Sequence, residues 1–152
     1  QMCIRDRHIV GKGSLRQLIT KLVRKYNLEK NVVLHGPIPY NELPKYYKSS
    51  DIVVHPVKSG HGPGRVVLEA FASSTPLITG MLPGSEDYIV KDLNAKVLYK
   101  ITPQSIAESI LLLVQDKHLS RKLVHYGFKT AQLFHWSNIL PYYESALKHV
   151  LG

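Results

Sequence analysis

Apolar and polar residues follow two different periodicities along the chain. Short runs of β-branched residues predict strands, and longer stretches with apolar residues three or four positions apart predict helices. The predicted strands are His8 to Val10, Asn31 to His35, Asp51 to Pro56, Pro76 to Thr79 and Lys96 to Tyr99. The predicted helices run from Ser14 to about Tyr26, Glu42 to Lys48, Arg65 to Ser73, Ser85 to Val90, Pro103 to Val114, His118 to Phe134 and Asn138 to Leu151.

Strands separated by helices of this length indicate parallel crossovers, and strands that are apolar almost throughout indicate a sheet covered on both faces. We therefore predict an α/β fold with a doubly wound, mostly parallel sheet and flanking helices. Ser14 is expected to cap the first helix, and Thr102 followed by Pro103 to cap a later one. The first helix is expected to bury one apolar stripe, formed by Leu15, Leu18, Ile19, Leu22 and Val23.

The two ends of the chain suggest a piece of something larger. Residues 1–7 fit no element and are expected to be a non-native or disordered leader. Residues 8–152 are expected to form one domain, truncated on its N-terminal side because its first strand begins at once. The last helix carries an apolar stripe that is expected to be exposed in this chain and to pack on a missing half: Ile139, Tyr142, Tyr143, Ala146, Leu147 and Val150.

The net charge and the histidine content limit the kinds of ligand that the chain is expected to bind. The net charge is +9, but the basic residues are spread along the chain, and the two densest stretches, Lys12 to Lys30 and Lys117 to Lys129, predict solvated helix faces. We therefore expect no nucleic acid partner. The basic balance suits an anionic membrane face, although no amphipathic segment points to one. The eight histidines lack metal-ligand spacing and Cys3 has no second cysteine, so we predict no metal site and a reducing compartment.

A glycine-rich loop is the first candidate for chemistry. Gly60 to Gly64 holds three glycines in five residues and leads into the helix that begins at Arg65. Helix N-termini present unpaired N–H groups and a positive dipole end, so this loop is either a diphosphate cradle or a flexible turn. A second loop, Gly11 to Gly13, matches a dinucleotide fingerprint only in part, because Arg16 stands where a third glycine would fall. A tight turn is the favoured interpretation there.

Two further residues could contact a nucleotide. Glu69 lies in an apolar stretch of the predicted helix after Arg65, where burial is costly unless the carboxylate is hydrogen-bonded. A ribose diol could supply those bonds; the alternative is an ordinary charge on the outer helix face. Ile38, within the rigid loop Gly36 to Pro39, could pack against a planar base.

These segments together resemble the C-terminal donor-binding domain of the group 1 family of retaining GT-B glycosyltransferases. The most specific segment is Val67 to Ala72 followed by Pro76 to Ile78; Ile9 to Gly13, Val32 to Gly36 and Ser50 to Pro56 are similar to family segments in the same order. The resemblance implies a Rossmann-like half of a GT-B fold. It also implies transfer of a sugar from a nucleotide-diphosphate sugar to an acceptor hydroxyl, with no cofactor beyond that donor substrate.

The resemblance also implies roles for individual residues. Gly62 and the backbone amides of Gly64, Arg65 and Val66 would hold the diphosphate. Glu69 would bind the ribose hydroxyls, and Ile38 would contact the base. His61 stands where the family has its first Glu, eight positions before Glu69, and is the candidate catalytic residue.

Other positions depart from the family pattern. Tyr88 stands where a Glu is common, and Ser74 and Ala95 replace common glycines. The basic residues that clamp the diphosphate in the family come from a segment upstream of Ile9. We expect the isolated chain to bind a nucleotide sugar but to be inactive without its acceptor-binding N-terminal domain.

Two alternatives to a transferase remain open. One is a nucleotide-sugar epimerase-like enzyme on the same scaffold, with His61 and Glu86 as the acid/base candidates. The other is a degenerate, non-catalytic binding module, for which His61 is the motivating residue. For the transferase, we expect a cytoplasmic protein, or one at the inner face of the membrane.

Overall fold

The computed structural model describes residues 6–57, 64–81 and 83–151. The chain divides into two compact units, Gln1–Leu43 and Pro44–Gly152. Each unit contains its own parallel sheet, which is accompanied by one α-helix in the first unit and by several helices in the second. The predicted α/β class with parallel strands is confirmed, and the described strands pair as a two-stranded sheet in the first unit and a three-stranded sheet in the second.

The described part of the first unit contains two strands, one α-helix and a 3-10 turn at Tyr40–Glu42. Strands β1 (Arg7–Val10) and β2 (Val32–Gly36) pair in parallel, with Arg7 opposite Val32. β1 therefore begins one residue inside the predicted leader, whose residues 1–5 lie outside the described ranges. Helix α1 spans Arg16–Lys25 and has no side-chain cap, so the prediction of Ser14 as its cap is wrong.

The apolar stripe of α1 is also less buried than expected. Leu15, Leu18 and Leu22 are 62%, 51% and 41% exposed, and no residue of α1 is fully buried. The stripe has the predicted periodicity. A two-stranded sheet, however, offers little area for a helix to pack against, and apolar burial scales with the area removed from water.

The second unit is built on a three-stranded sheet. Helix α2 (Leu43–Ser49) begins at the boundary between the units and is followed by β3 (Val53–His55) and α3 (Arg65–Ala72). Strands β4 (Leu77–Gly80) and β5 (Lys96–Leu98) complete the parallel order β3-β4-β5. All four residues of the central strand β4 are buried, as a continuous apolar run predicts.

Three helices close the chain: α4 (Pro103–Gln115), α5 (Lys117–Leu133) and α6 (Trp136–Leu151). The predicted cap of α4 is confirmed, because the Thr102 side chain accepts the Ser105 N–H at 3.1 Å. Asp116 ends α4 and also caps α5, since its carboxylate accepts the Leu119 N–H at 2.8 Å. α6 begins at Trp136, two residues before the predicted start at Asn138.

Helix α5 packs closely against α3 at a glycine, Gly127. Gly127 is buried on α5, and a Cβ added there would stand 2.8 Å from Cδ1 of Phe71 on α3. Phe71 is itself 2% exposed and belongs to the core cluster that also contains Leu77 and Val97. The close approach of the two helices therefore depends on glycine at this position.

The predicted helix from Ser85 to Val90 is wrong: this segment forms a single turn. The N–H groups of Tyr88 and Ile89 both donate to the Ser85 carbonyl. The next donor, the Val90 N–H, bonds instead to the side chain of Asn94 at 2.8 Å. Asn94 is 3% exposed, and its amide also donates to the Tyr88 carbonyl, so it holds the turn in place of a helical ladder.

Helix α6 has the exposed apolar face that the sequence predicts. Tyr142, Tyr143, Leu147 and Val150 are 78%, 59%, 58% and 79% exposed, and Ala146 is also exposed, while Ile139 is half-buried. Within the described ranges, no helix combines the length and apolar character needed to cross a membrane.

Candidate functional site

The candidate site lies where β3 leads into α3. Ligands of open parallel sheets bind outside the carboxyl ends of the strands, and α3 begins in the segment that follows β3. His61 and Gly62, two of the predicted site residues, lie outside the described residues. Gly64 is the first described residue after that gap and is the N-cap of α3.

The start of α3 has the backbone groups that an anion could bind. Gly64 has an extended conformation, with φ of −62° and ψ of 116°, and its carbonyl accepts the Val67 N–H at 2.9 Å. The amides of Arg65 and Val66 lie in the first helical turn, where no preceding helical carbonyl exists to accept them. Arg65 is exposed and Val66 is half-buried. The positive end of the helix dipole therefore coincides with an exposed guanidinium.

The Gly64 amide itself has a side-chain partner. Its N–H donates to the Tyr88 hydroxyl at 3.2 Å. Tyr88 is 4% exposed, and its ring meets the Phe134 ring edge-on with centroids 5.7 Å apart. Burial raises the pKa of the Tyr88 hydroxyl, the Gly64 bond opposes that change, and the charge of Glu86 adds to it. Tyr88 therefore stays protonated and keeps one proton to donate.

Glu69 is held by a second tyrosine. It lies one turn after Arg65, on the same side of α3, and is half-buried. Its Oε2 accepts the Tyr47 hydroxyl of α2 at 2.8 Å. An ionised carboxylate has about four acceptor positions, and Tyr47 uses one of them. A protein side chain therefore supplies the hydrogen bond that the half-buried Glu69 carboxylate needs. The proposed contact between Glu69 and a ribose stays a prediction.

His55 ends β3 beside the same helix terminus. Its Cε1 would lie 3.8 Å from a Cβ placed on Gly64. Burial lowers the pKa of His55, and its buried Nδ1 has no hydrogen-bond partner among the described residues. A neutral imidazole with an unused buried nitrogen is a polar group close to the predicted diphosphate loop.

The remaining predicted contacts belong to the first unit. Ile38 is half-buried in the loop after β2. Gly11 has a φ of 121° and its N–H donates to the Gly36 carbonyl at 2.7 Å, which supports the tight-turn interpretation of Gly11 to Gly13. This turn lines a pocket of about 200 Å³ together with Leu34. In the part of the chain that the structure describes, no three His, Cys, Asp or Glu side chains form a metal-binding group.

Sequence reasoning missed the two tyrosines that contact the site. Tyr47 has no predicted role at the site in the sequence analysis, and Tyr88 is named there only as standing where a Glu is common. The departure from the family pattern at Tyr88 was the available indication, because it marks a position where this chain differs in chemistry from the family. Nothing in the local pattern around Tyr47 pairs it with Glu69, which lies 22 residues away.

Comparison with known proteins identifies the family. The sequence profile described as Glycosyl transferases group 1 matches residues 7–130. The chain belongs to the group 1 glycosyltransferases. The match extends over most of both units, ends before α6, and includes Ile38, Gly64, Arg65, Val66 and Glu69 of the candidate site.

Curated group 1 relatives match over most of this chain. An uncharacterised glycosyltransferase from Methanocaldococcus jannaschii is 31% identical over 133 residues, covering 86% of this chain and 34% of the relative. The poly(ribitol-phosphate) alpha-N-acetylglucosaminyltransferase of Staphylococcus aureus is 29% identical over 114 residues, covering 74% of this chain and 22% of the relative. The chain thus spans about a third or less of the length of these relatives.

Solved structures show the same fold. Sucrose-phosphate synthase from Thermosynechococcus elongatus superposes with a TM-score of 0.83 at 24% identity, covering 95% of this chain and 38% of that one. HepE from Anabaena, in complex with UDP, superposes with a TM-score of 0.84 at 18% identity, covering 95% of this chain and 41% of that one. The group 1 chain described above therefore has the Rossmann-like arrangement of a GT-B domain.

Proposed function

We propose that this chain is the nucleotide-sugar-binding part of a glycosyltransferase that moves a sugar from a nucleotide-diphosphate donor to an acceptor hydroxyl. One observation carries the proposal: α3 starts after the carboxyl end of β3 with Glu69 one turn further along. The helix terminus would bind the diphosphate, and the carboxylate would bind the ribose.

The chemistry expected of this site is mainly electrostatic. Departure of the diphosphate places negative charge on its oxygens, and amides at a helix terminus stabilise such charge without reorganising. Arg65 would add a charge-assisted hydrogen bond. His61 would address the sugar, in the position where the family has a Glu. No metal or cofactor is proposed, because backbone amides and a guanidinium supply the positive charge.

The acceptor side of the reaction is assigned to a separate acceptor-binding domain. Transfer requires the reactive sugar to be held away from water, and a cleft between two domains achieves this. We therefore propose that this chain alone binds donor but transfers no sugar. A cytoplasmic location is part of the same proposal, since nucleotide sugars would be the substrates.

Calorimetric titration tests donor binding. UDP is the first ligand to use, because related folds are known in complex with UDP and with UDP-glucose; GDP and ADP identify the base preference. UDP should bind more tightly than uridine, which lacks the diphosphate. Equal affinities for UDP and uridine would show that the helix terminus holds no phosphate, and the proposal would fail.

A pair of variants separates a binding role of Glu69 from a structural one. Glu69→Gln can still accept the Tyr47 hydroxyl but loses the charge, and it should weaken UDP binding about 10-fold, since a hydrogen bond to a charged group contributes about 1.5–3 kcal/mol. Glu108→Gln, an exposed carboxylate on α4, removes the same charge and is the matched control. Similar losses in both variants would contradict the ribose role of Glu69.

A degenerate binding module is the second candidate. The observation in its favour is that Tyr88 and Tyr47 bond to the very groups assigned to the donor. If it is correct, neither UDP, GDP nor ADP binds to the folded chain. Tyr88→Phe would not restore binding in that case, whereas a merely occluded site would gain affinity.

A further inference from the structure

Helix α5 carries only positive charges. Its sequence, Lys117–Leu133, contains four Lys and Arg residues and two His, and no Asp or Glu. All four cations are exposed, as are both histidines: Lys117, His118, Arg121, Lys122, His125 and Lys129. The inner side of the helix is fixed by Leu123 and Gly127, which are buried in the second unit.

The cations occupy one face of the helix. Arg121, His125 and Lys129 are spaced four residues apart and therefore lie above one another on the outward side. From Lys117 to Lys129 the row extends about 18 Å along the helix axis. We give the name α5 basic face to this row together with the neighbouring side chains Lys122 and Phe128. Like charges four residues apart repel each other and slightly destabilise a helix. Binding of an anionic partner would reduce this repulsion.

The α5 basic face borders an open groove. The groove has a volume of about 440 Å³ and is lined by Arg121, His125, Lys129, Ser74, Val124 and Phe128, among others. Phe128 is 42% exposed, so an aromatic ring is accessible at the end of the row next to Lys129. Lys129 lies 5.8 Å from the centre of the Tyr126 ring, so this cation also covers an aromatic neighbour.

We propose that the α5 basic face binds the surface of a membrane rich in anionic phospholipid. Exposed Lys and Arg side chains along one helix face supply the positive charge that a layer of phosphate headgroups attracts, and the exposed Phe128 ring lies beside them. Single-stranded nucleic acid would instead use a series of aromatic platforms on which bases stack, whereas Phe128 is the one Phe, Tyr or Trp residue of this face. The inference does not depend on the donor site, because it uses none of its residues.

Co-sedimentation with vesicles tests the inference. The 152-residue chain is mixed with vesicles of phosphatidylcholine alone or of phosphatidylcholine with phosphatidylglycerol. It should bind only the anionic vesicles, and binding should disappear at 1 M salt, where charges are screened within about 3 Å. Binding to neither vesicle, or equally to both, would overturn the proposal.

Charge-matched variants locate the binding face. The triple variant Arg121→Gln, Lys122→Gln, Lys129→Gln should lower vesicle affinity about 100-fold, since each cation near an anionic surface contributes about a factor of five. The control is Lys21→Gln, Arg24→Gln, Lys25→Gln, which removes one Arg and two Lys from exposed positions of α1. It should retain most of the affinity.

Two results would contradict the assignment to α5. Equal losses in both triple variants would mean that net charge, and not this face, drives binding. A triple α5 variant that loses affinity for a fluorescent single-stranded oligonucleotide while it keeps its vesicle affinity would identify nucleic acid as the partner. Circular dichroism of both variants verifies that the helices remain folded.

Discussion

Replacing Gly127 with alanine tests the packing that holds α3, and therefore the candidate site, in place. The added Cβ would stand 2.8 Å from Cδ1 of Phe71 and 3.3 Å from its Cγ and Cε1. Carbon atoms pack best at about 3.5–4.0 Å, so either the ring or the helix has to move. The ring is a poor candidate to move, because Phe71 is 2% exposed and surrounded by the core.

Two opposing effects determine how much Gly127→Ala changes the free energy of unfolding. Alanine is a better helix former than glycine by about 1 kcal/mol in a helix interior. Overpacking a well-filled core costs about 1–3 kcal/mol, and contact with a rigid ring places this case in the upper part of that range. We expect Gly127→Ala to lower the free energy of unfolding by about 1–2 kcal/mol, the difference between these two effects.

Urea unfolding followed by circular dichroism measures this free energy. The double variant Phe71→Leu, Gly127→Ala supplies the control, because a leucine leaves room for the new methyl group. Gly127→Ala should lower the free energy of unfolding less when residue 71 is leucine than when it is phenylalanine. The difference between the two effects is the coupling energy, expected to be about 0.5–3 kcal/mol. A Gly127→Ala variant that is more stable than the parent by about 1 kcal/mol would refute the packing argument.

Two further predictions concern the candidate site. Tyr88→Phe removes the acceptor of the Gly64 N–H and should lower stability by about 1 kcal/mol in thermal unfolding; unchanged stability would mean that the bond contributes nothing. Burial lowers the pKa of His55, so the unfolded chain takes up this proton at higher pH than the folded chain, and the resulting loss of stability should grow as pH falls below 6.5. His55→Phe should flatten the pH dependence of urea unfolding in that range, and an unaltered slope would count against a buried neutral imidazole.

The class of fold could be predicted from the sequence because its elements are marked locally. Thr102 and Pro103 define the start of α4, and the run from Leu77 to Gly80 is buried on all sides, as its composition indicates. The order of strands and helices then limits the fold to a parallel α/β arrangement.

The errors in local structure arose where a distant residue decides the outcome. The turn at Ser85 does not extend into a helix because Asn94 takes the next N–H, and no local pattern shows that bond. The stripe of α1 has the right period, but burial depends on the area that the two-stranded sheet offers.

The backbone of the candidate site could be predicted from the sequence, but the hydrogen-bond partners of its groups could not. Glycine followed by a helix start is visible in the sequence, and the structure places α3 at Arg65 as predicted. The bonds from Tyr47 to Glu69 and from Gly64 to Tyr88 join residues about 22 and 24 positions apart, which periodicity cannot detect.

The shared residue between α4 and α5 has a mechanical consequence. Asp116 is both the last cap of one helix and the first cap of the next, so no spacer is present at which the two could swivel. α5 is also fastened to α3 at Gly127. If α5 binds a lipid surface, the orientation of α5 would therefore fix the tilt of the three-stranded sheet relative to the bilayer. It would also fix the direction that the carboxyl end of β3, after His55, faces.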